Sequence, residues 1–330
     1  TSGSTGKPKG VAITHANLCP LLHWGYRRLD IGCRDRAIQN LSYYFDWSVW
    51  EIFITLTSGA CLYMVSGELL LNPGACIDFM DREDITVLHV TPTQYQHFIH
   101  GGRGLKSLKY LFLGAEKLTL DLLERGFASV GDGCRVFNMY GPTEAAIISA
   151  VLEISRGEES KFAVLSSVPI GKPSGNATLS ILDRNMNLCP VNVAGELYIG
   201  GDGVARGYLN NPELTAERFV AHELHELNEL KQINKSFAGV KGELFQKPPL
   251  VAYKTGDLAR WLPDGSVEFL GRMDFQVKIR GFRIELGEIE TRLIGHGGVK
   301  EAVVIARKKE NTDPYLAAYI VRSPGGEFEG

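Results

Sequence analysis

The first ten residues read TSGSTGKPKG, an alternation of glycines and hydroxyls closed by two lysines. Glycines let consecutive backbone N–H groups approach phosphate oxygens closely, and Lys7 and Lys9 supply compensating charge. The tract is not a P-loop, which needs Gly where Thr1 stands and Ser or Thr where Pro8 follows Lys7. Taken alone it reads equally well as a phosphate cradle or as a flexible linker. A second signal is Asp46, a single carboxylate set between Phe45 and Trp47. A buried carboxylate without a partner is costly, so this one calls for a cation.

The elements that must position these groups show in the hydrophobic pattern. Residues 37–45, 85–90, 108–113 and 135–140 are short apolar runs. Helix-like stretches follow the first three at 48–56, 93–99 and beyond Thr119, a residue suited to cap a helix. Strands alternating with helices predict crossover units and a parallel sheet covered on both faces. Ligands of such sheets bind beyond the carboxyl ends of the strands. That rule gathers Asp46, His89, Leu113 and the pair Met139 and Tyr140 at one crevice, a mostly apolar pocket with one fixed carboxylate.

From about Gly171 the pattern changes to shorter strands at 178–182, 196–199 and 267–270, separated by turn signals such as Pro263, Asp264 and Gly265. This predicts an antiparallel, barrel-like layer, followed by the start of a small α+β unit with a strand at 275–279, a helix at 286–293 and a strand at 302–305. The expected fold is therefore α/β, divided at 1–170, 171–273 and 274–330. Residues 222–249 stand apart as an insertion. Its His222, Glu223 and His225 lack the i, i+4 histidine spacing of a helical zinc site and read as a solvated surface.

Composition bounds the function. The chain has 330 residues, 44% of them hydrophobic, with 35 Lys plus Arg against 38 Asp plus Glu. A net charge of -3 gives no basic field for nucleic acid, and there is no run of 18 apolar residues to span a membrane. Six cysteines without C-x-x-C spacing predict mostly buried, reduced thiols and a cytoplasmic protein. The chain opens at Thr1 inside a functional loop, so it reads as an excerpt of something longer.

Further blocks are FDWSVWE at 45–51, NMYGPTE at 138–144, GELYIGG at 195–201 with ARGY at 205–208, YKTGD at 253–257, and GRMDFQVKIRG at 271–281 running on to Glu290. With the opening tract, and in this order, they closely resemble the adenylate-forming superfamily. Within it they are most similar to the amino-acid adenylation domain of a nonribosomal peptide synthetase.

The resemblance implies a reaction and a set of roles. ATP and an amino acid would give an aminoacyl adenylate and pyrophosphate, with magnesium as cofactor. The acyl group would then pass to the phosphopantetheine thiol of a peptidyl carrier domain, beside a condensation domain of the same synthetase. Thr1, Ser2, Gly3, Ser4, Thr5, Gly6 and Lys7 would hold the β- and γ-phosphates, Lys7 and Thr143 serving catalysis. Tyr140 would stack on adenine, Gly141 would be a further nucleotide contact, Thr143 would meet the α-phosphate, Glu144 magnesium, and Asp257 with Arg272 the ribose. Asp46 would pair with the α-ammonium group. Trp47, Trp50, His89, Leu111, Leu113, Met139, Ile147 and Ile148 would line the side-chain pocket, whose bulk suggests a small or medium neutral substrate. Asp274 would be the hinge of a rotating lid and Gly281 the passage for the pantetheine arm. The lid's catalytic lysine is expected beyond Gly330. Two other readings stand beside this one: an acyl-CoA or stand-alone amino-acid ligase of the same superfamily, and a catalytically silent nucleotide-binding module.

Overall fold

The computed structural model describes residues 8–100, 102–221, 251–274, 276–279, 282–307 and 315–323. Thr1 to Lys7, the 222–249 insertion with its histidines, and Gly281 lie outside the described residues.

Seven strands form the first sheet: β1 (Arg36–Gln39), β2 (Cys61–Met64), β3 (Val87–Val90), β4 (Tyr110–Gly114), β5 (Arg135–Tyr140), β6 (Ala150–Ile154) and β7 (Lys172–Pro173), in the order β2-β1-β3-β4-β5-β6-β7. The first five in that order are parallel, as the alternation predicts. β6 and β7 are antiparallel to their neighbours, so the sheet is mixed rather than purely parallel. The connection at 141–149 is shorter than the roughly dozen residues that a parallel crossover needs.

Helices α1 (His15–Arg28), α2 (Trp47–Thr57), α3 (Gly67–Leu70), α4 (Pro73–Arg82), α5 (Pro92–Ile99) and α6 (Leu120–Ser129) cover the two faces. Their starts follow from side chains that satisfy open backbone donors. Thr14, Ser66, Asn72, Thr91 and Thr119 each accept the N–H three residues on. Proline occupies the first turn of α4 and α5, where its missing N–H costs nothing.

Strand alternation splits the core in two. Leu88, Val90, Leu111, Leu113 and Val136 pack into one cluster with residues of α4, α5 and α6. Tyr110, Phe112, Phe137 and Met139 pack on the other face against Trp47, Trp50 and Ile54 of α2 and Leu18 and Leu21 of α1.

The antiparallel layer expected after Gly171 comprises β8 (Ala177–Leu182), β9 (Gly195–Gly201), β10 (Phe219–Ala221), β11 (Val251–Trp261) and β12 (Val267–Arg272), with α7 (Pro212–Arg218) leading into β10. β11 carries the YKTGD block inside a long strand that the turn-like residues concealed. Beyond it, β13 (Gln276–Ile279) pairs with β14 (Phe282–Glu285), followed by α8 (Leu286–Ile294) and the hairpin of β15 (Val299–Arg307) and β16 (Tyr315–Arg322).

All six cysteines are free, but only Cys76, Cys134 and Cys189 are buried; Cys19, Cys33 and Cys61 are exposed, against the expectation of mostly buried thiols.

Candidate active site

Asp46 is not a strand end. β1 stops at Gln39, and Asp46 sits at the N-cap position of α2. Aspartate there normally spends its carboxylate on the first turn of its own helix, yet this one makes no capping hydrogen bond. Instead, Asp46 Oδ2 accepts the hydroxyl of Thr143 at 2.5 Å. The two residues are 97 positions apart and come from the loops beyond β1 and β5. Asp46 and Thr143 thus meet beyond the carboxyl ends of β1 and β5, as the crevice rule expects, though Asp46 hangs from a loop and a helix start.

Both residues border an open cavity of about 630 Å³. Phe45, Asp46, Trp47, Met139, Ile147 and Ile148 form one part of its wall, and Tyr140, Gly141, Thr143, Asp257 and Arg272 another. The backbone at Ala146 and Ile147 is left-handed, with φ of 54° and 82°. For a β-branched residue that is a strained conformation of the kind that clusters at functional sites. It lets Ile147 and Ile148 both reach the cavity.

Four of the expected pocket residues lie elsewhere. Leu111 and Leu113 point to the opposite face of the sheet, because β4 alternates and its Phe112 is the residue on the Trp47 side. Gly114 follows in that alternation: a Cβ there would come 2.7 Å from Met139 O and 3.0 Å from the Trp47 ring. Trp50 is fully buried beneath the site, its ring 6.3 Å from that of Trp24. His89 lies within β3 behind Trp47, stacked on Phe112 at 4.7 Å. Burial pushes its imidazole down to about 3, so it is neutral. Among the described residues, neither of its ring nitrogens has a hydrogen-bond partner.

On the other wall, Asp257 lies in β11 where its pairing with β9 shifts register. Gly256 has φ +74°, and a Cβ there would lie 3.0 Å from Arg272 Nη2. That backbone conformation and close approach favour glycine. Asp257 accepts from Arg272 Nη1 at 2.6 Å and from the Tyr140 hydroxyl. Burial and the Asp257 carboxylate together raise the Tyr140 phenol well above its usual value, which keeps it a neutral donor. Arg272 also grips Asp274 with two bonds of 2.7 and 2.6 Å. Burial raises the Asp274 carboxyl, but the Arg272 bonds and charge hold it below the usual carboxylate range. The expected ribose contact and the expected hinge are thus joined through one guanidinium group.

Glu144 is fully buried and accepts the Tyr208 hydroxyl at 2.8 Å. Lys9 lies 5.5 Å from the Tyr208 ring centroid, and Gly10 and Ala12 pair with the backbone at 206–209. The described end of the opening tract is thereby held beside Glu144, next to Thr143. Among the described residues no group of three or more His, Cys, Asp or Glu could hold a metal ion. Magnesium does not require such a cage: it keeps waters and commonly binds one or two carboxylates plus substrate phosphates. Glu144, a buried carboxylate next to Thr143, is of that donor type.

The sequence reading missed Phe45, Ala115 and Pro142, which also line the cavity, and a neighbouring cavity of about 410 Å³ that shares Ala115, Met139 and Tyr140 with it. Asn138, Val168, Ile170 and Phe269 line this second space. The signal for Asn138 was present, since it opens the NMYGPTE block.

Residues 1–209 match the AMP-binding enzyme family. The chain is 42% identical to tyrocidine synthase 3 of Brevibacillus parabrevis over 97% of its length, and 40% identical to bacitracin synthase 1 of Bacillus licheniformis, also over 97%. It spans only 4% and 6% of those proteins. Among solved structures, it resembles the Vibrio cholerae adenylation domain AlmE in complex with glycyl-adenosine-5'-phosphate, with a TM-score of 0.80 and 29% identity over 97% of this chain and 56% of that one. It also resembles a four-domain nonribosomal peptide synthetase bound to AMP and glycine, with a TM-score of 0.67 and 33% identity over 98% of this chain and 22% of that one.

Proposed function

The chain belongs to the AMP-binding enzyme family, and from that premise we propose that it activates an α-amino acid as its adenylate within a nonribosomal peptide synthetase. The observation that carries this reading is the 2.5 Å bond between Thr143 and Asp46 in one cavity. It puts an ammonium partner beside a group suited to phosphate, so that a carboxylate and an α-phosphorus would meet between them.

The chemistry follows from poor leaving groups. A free carboxylate would have to expel oxide, whereas AMP leaves readily once the carboxylate has attacked the α-phosphorus and pyrophosphate has departed. Asp46 pairs with the substrate ammonium and fixes the carboxylate's direction. Thr143 and the opening tract with Lys7 donate to phosphate oxygens as charge gathers on them. Asp257 accepts from the ribose hydroxyls, steadied by Arg272, and Tyr140 offers a flat face to adenine. The adjoining cavity, with Val168, Ile170 and Phe269 as apolar walls and the Asn138 amide at its edge, suits the purine base. Magnesium, held by Glu144, would neutralise charge on the phosphates. Trp47, Met139, Ile147 and Ile148 offer no charge, which favours a neutral side chain. Transfer to a carrier-domain phosphopantetheine thiol, with Asp274 as hinge and Gly281 at the arm's passage, completes the cycle.

The test is ATP–pyrophosphate exchange by the full-length protein with each of the twenty common amino acids, and with fatty and aryl acids as controls. Exchange driven by one or a few amino acids is the expected result. Exchange only with fatty or aryl acids would move the assignment to an acyl ligase, and none with any acid would favour a silent module.

A further inference from the structure

Glu51 lies inside α2, is fully buried, and takes no part in the chemistry above. Its Oε1 accepts the backbone N–H of Asn40 at 3.1 Å, and its Oε2 accepts that of Leu41 at 3.2 Å and the Gln39 side-chain amide at 3.4 Å. Among the described residues, no cation pairs with it. Burial, opposed by the Asn40, Leu41 and Gln39 donors, pushes its carboxyl up to about 8.

The two N–H groups it grips open the loop at 40–46 that leaves β1, and Asp46 closes that loop at the start of the helix carrying Glu51. Asn40 adds a second tie: its side-chain amide donates to His89 O at 2.9 Å and exchanges hydrogen bonds with Gln94. A loop of this length would otherwise sample many conformations. Asp46 must hold its carboxylate 2.5 Å from the Thr143 hydroxyl without help from a helix cap.

We propose that Glu51 is a positioning residue for Asp46: by clamping the far end of the 40–46 loop to α2, it fixes where the amine's partner stands. This rests on the reading of Asp46 given above. Glu51→Ala leaves two buried N–H groups unpaired, a loss worth about tenfold or more in local opening. Glu51→Gln keeps an acceptor for one of the two N–H groups but sets its own NH2 against the other, so it restores only part of the effect.

The experiment has two arms on the full-length protein. Hydrogen exchange without substrate follows the amides of residues 40–46. Pyrophosphate exchange, with the amino acid that is most active in the panel, gives separate KM values for amino acid and ATP. Glu51→Ala is expected to speed amide exchange about tenfold and to raise the amino-acid KM about tenfold, with the ATP KM within about twofold. The amino-acid effect should disappear in an Asp46→Asn background, because the two changes act through one carboxylate. Equal rises in both KM values, unchanged amide exchange, or an undiminished effect beside Asp46→Asn would each overturn the proposal. Should Glu51→Ala fail to fold, Asn40→Ser loosens the same loop and must give the same signature. A wild-type protein inactive with every amino acid would refute the reading of Asp46 instead, while the hydrogen-exchange arm still tests the clamp.

Discussion

Thr143 donates its hydroxyl to Asp46 at 2.5 Å, across 97 residues of sequence, and in doing so joins the two halves of the cavity. A threonine hydroxyl has one proton to donate. If that proton turns to the α-phosphate when ATP binds, the Asp46 carboxylate becomes a stronger partner for an ammonium group, and the two substrates favour one another. Thr143→Val should therefore raise the ATP KM about tenfold and abolish any tightening of amino-acid binding by a non-hydrolysable ATP analogue. Thr143→Ser should preserve both. Calorimetric titration with and without the analogue measures the coupling directly.

Arg272 bridges Asp257 and Asp274 with a planar fork that lysine cannot reproduce. Arg272→Lys is expected to raise the ATP KM about tenfold while leaving the amino-acid KM within about twofold. Steady-state pyrophosphate exchange, varying each substrate in turn, distinguishes this from general damage.

Trp47 fills the cavity wall against Gly114. Gly114→Ala would force a methyl group to within 2.7 Å of a backbone oxygen and 3.0 Å of the indole. A loss of about 1–3 kcal/mol is expected, read as a lowered midpoint in denaturant unfolding. Trp47→Ala opens the same wall, and the substrate panel should shift toward bulkier neutral side chains.

His89 contributes a pH dependence with a definite sign. Its folded value of about 3 lies below the ordinary 6.5, so the unfolded chain binds the extra proton between those limits. Its share of stability is intact above pH 6.5 and falls as the pH drops toward 3, by about 1.4 kcal/mol per pH unit in the middle of that range. His89→Phe keeps the stack on Phe112 without the titration. The difference in stability between wild type and variant should therefore be flat near pH 7 and change with that slope in urea melts from about pH 5.5 to about 4.5.

The alternation of strands and helices at 85–140 was legible because each strand is a short apolar run and each helix start carries a capping side chain. What failed did so for physical reasons. The resemblance puts Leu111 and Leu113 in the pocket, where Phe112 and Gly114 face Trp47 instead, because in a strand one residue of slip exchanges the two faces. Leucines also look like walls, whereas a glycine that admits a tryptophan ring leaves no apolar mark. β11 was hidden because Gly256, with its positive φ, breaks the pattern inside the strand. The resemblance puts His89 and Trp50 in the pocket, yet only packing could show His89 behind Trp47 and Trp50 fully buried against Trp24. Asp46 stands out in the sequence as a carboxylate between two aromatics; its bond to Thr143 does not, because no local rule links residues so far apart.

The most direct measurement compares each active amino acid with its desamino counterpart in pyrophosphate exchange, for the wild-type protein and for Asp46→Ala. If Asp46 anchors the amine, the wild type prefers the amino acid by at least about 30-fold, the low end for a buried charge pair. Asp46→Ala then brings the two acids to near equality, with the ATP KM changed far less than the amino-acid KM. An unaltered preference in Asp46→Ala, or a loss confined to ATP, would contradict the account.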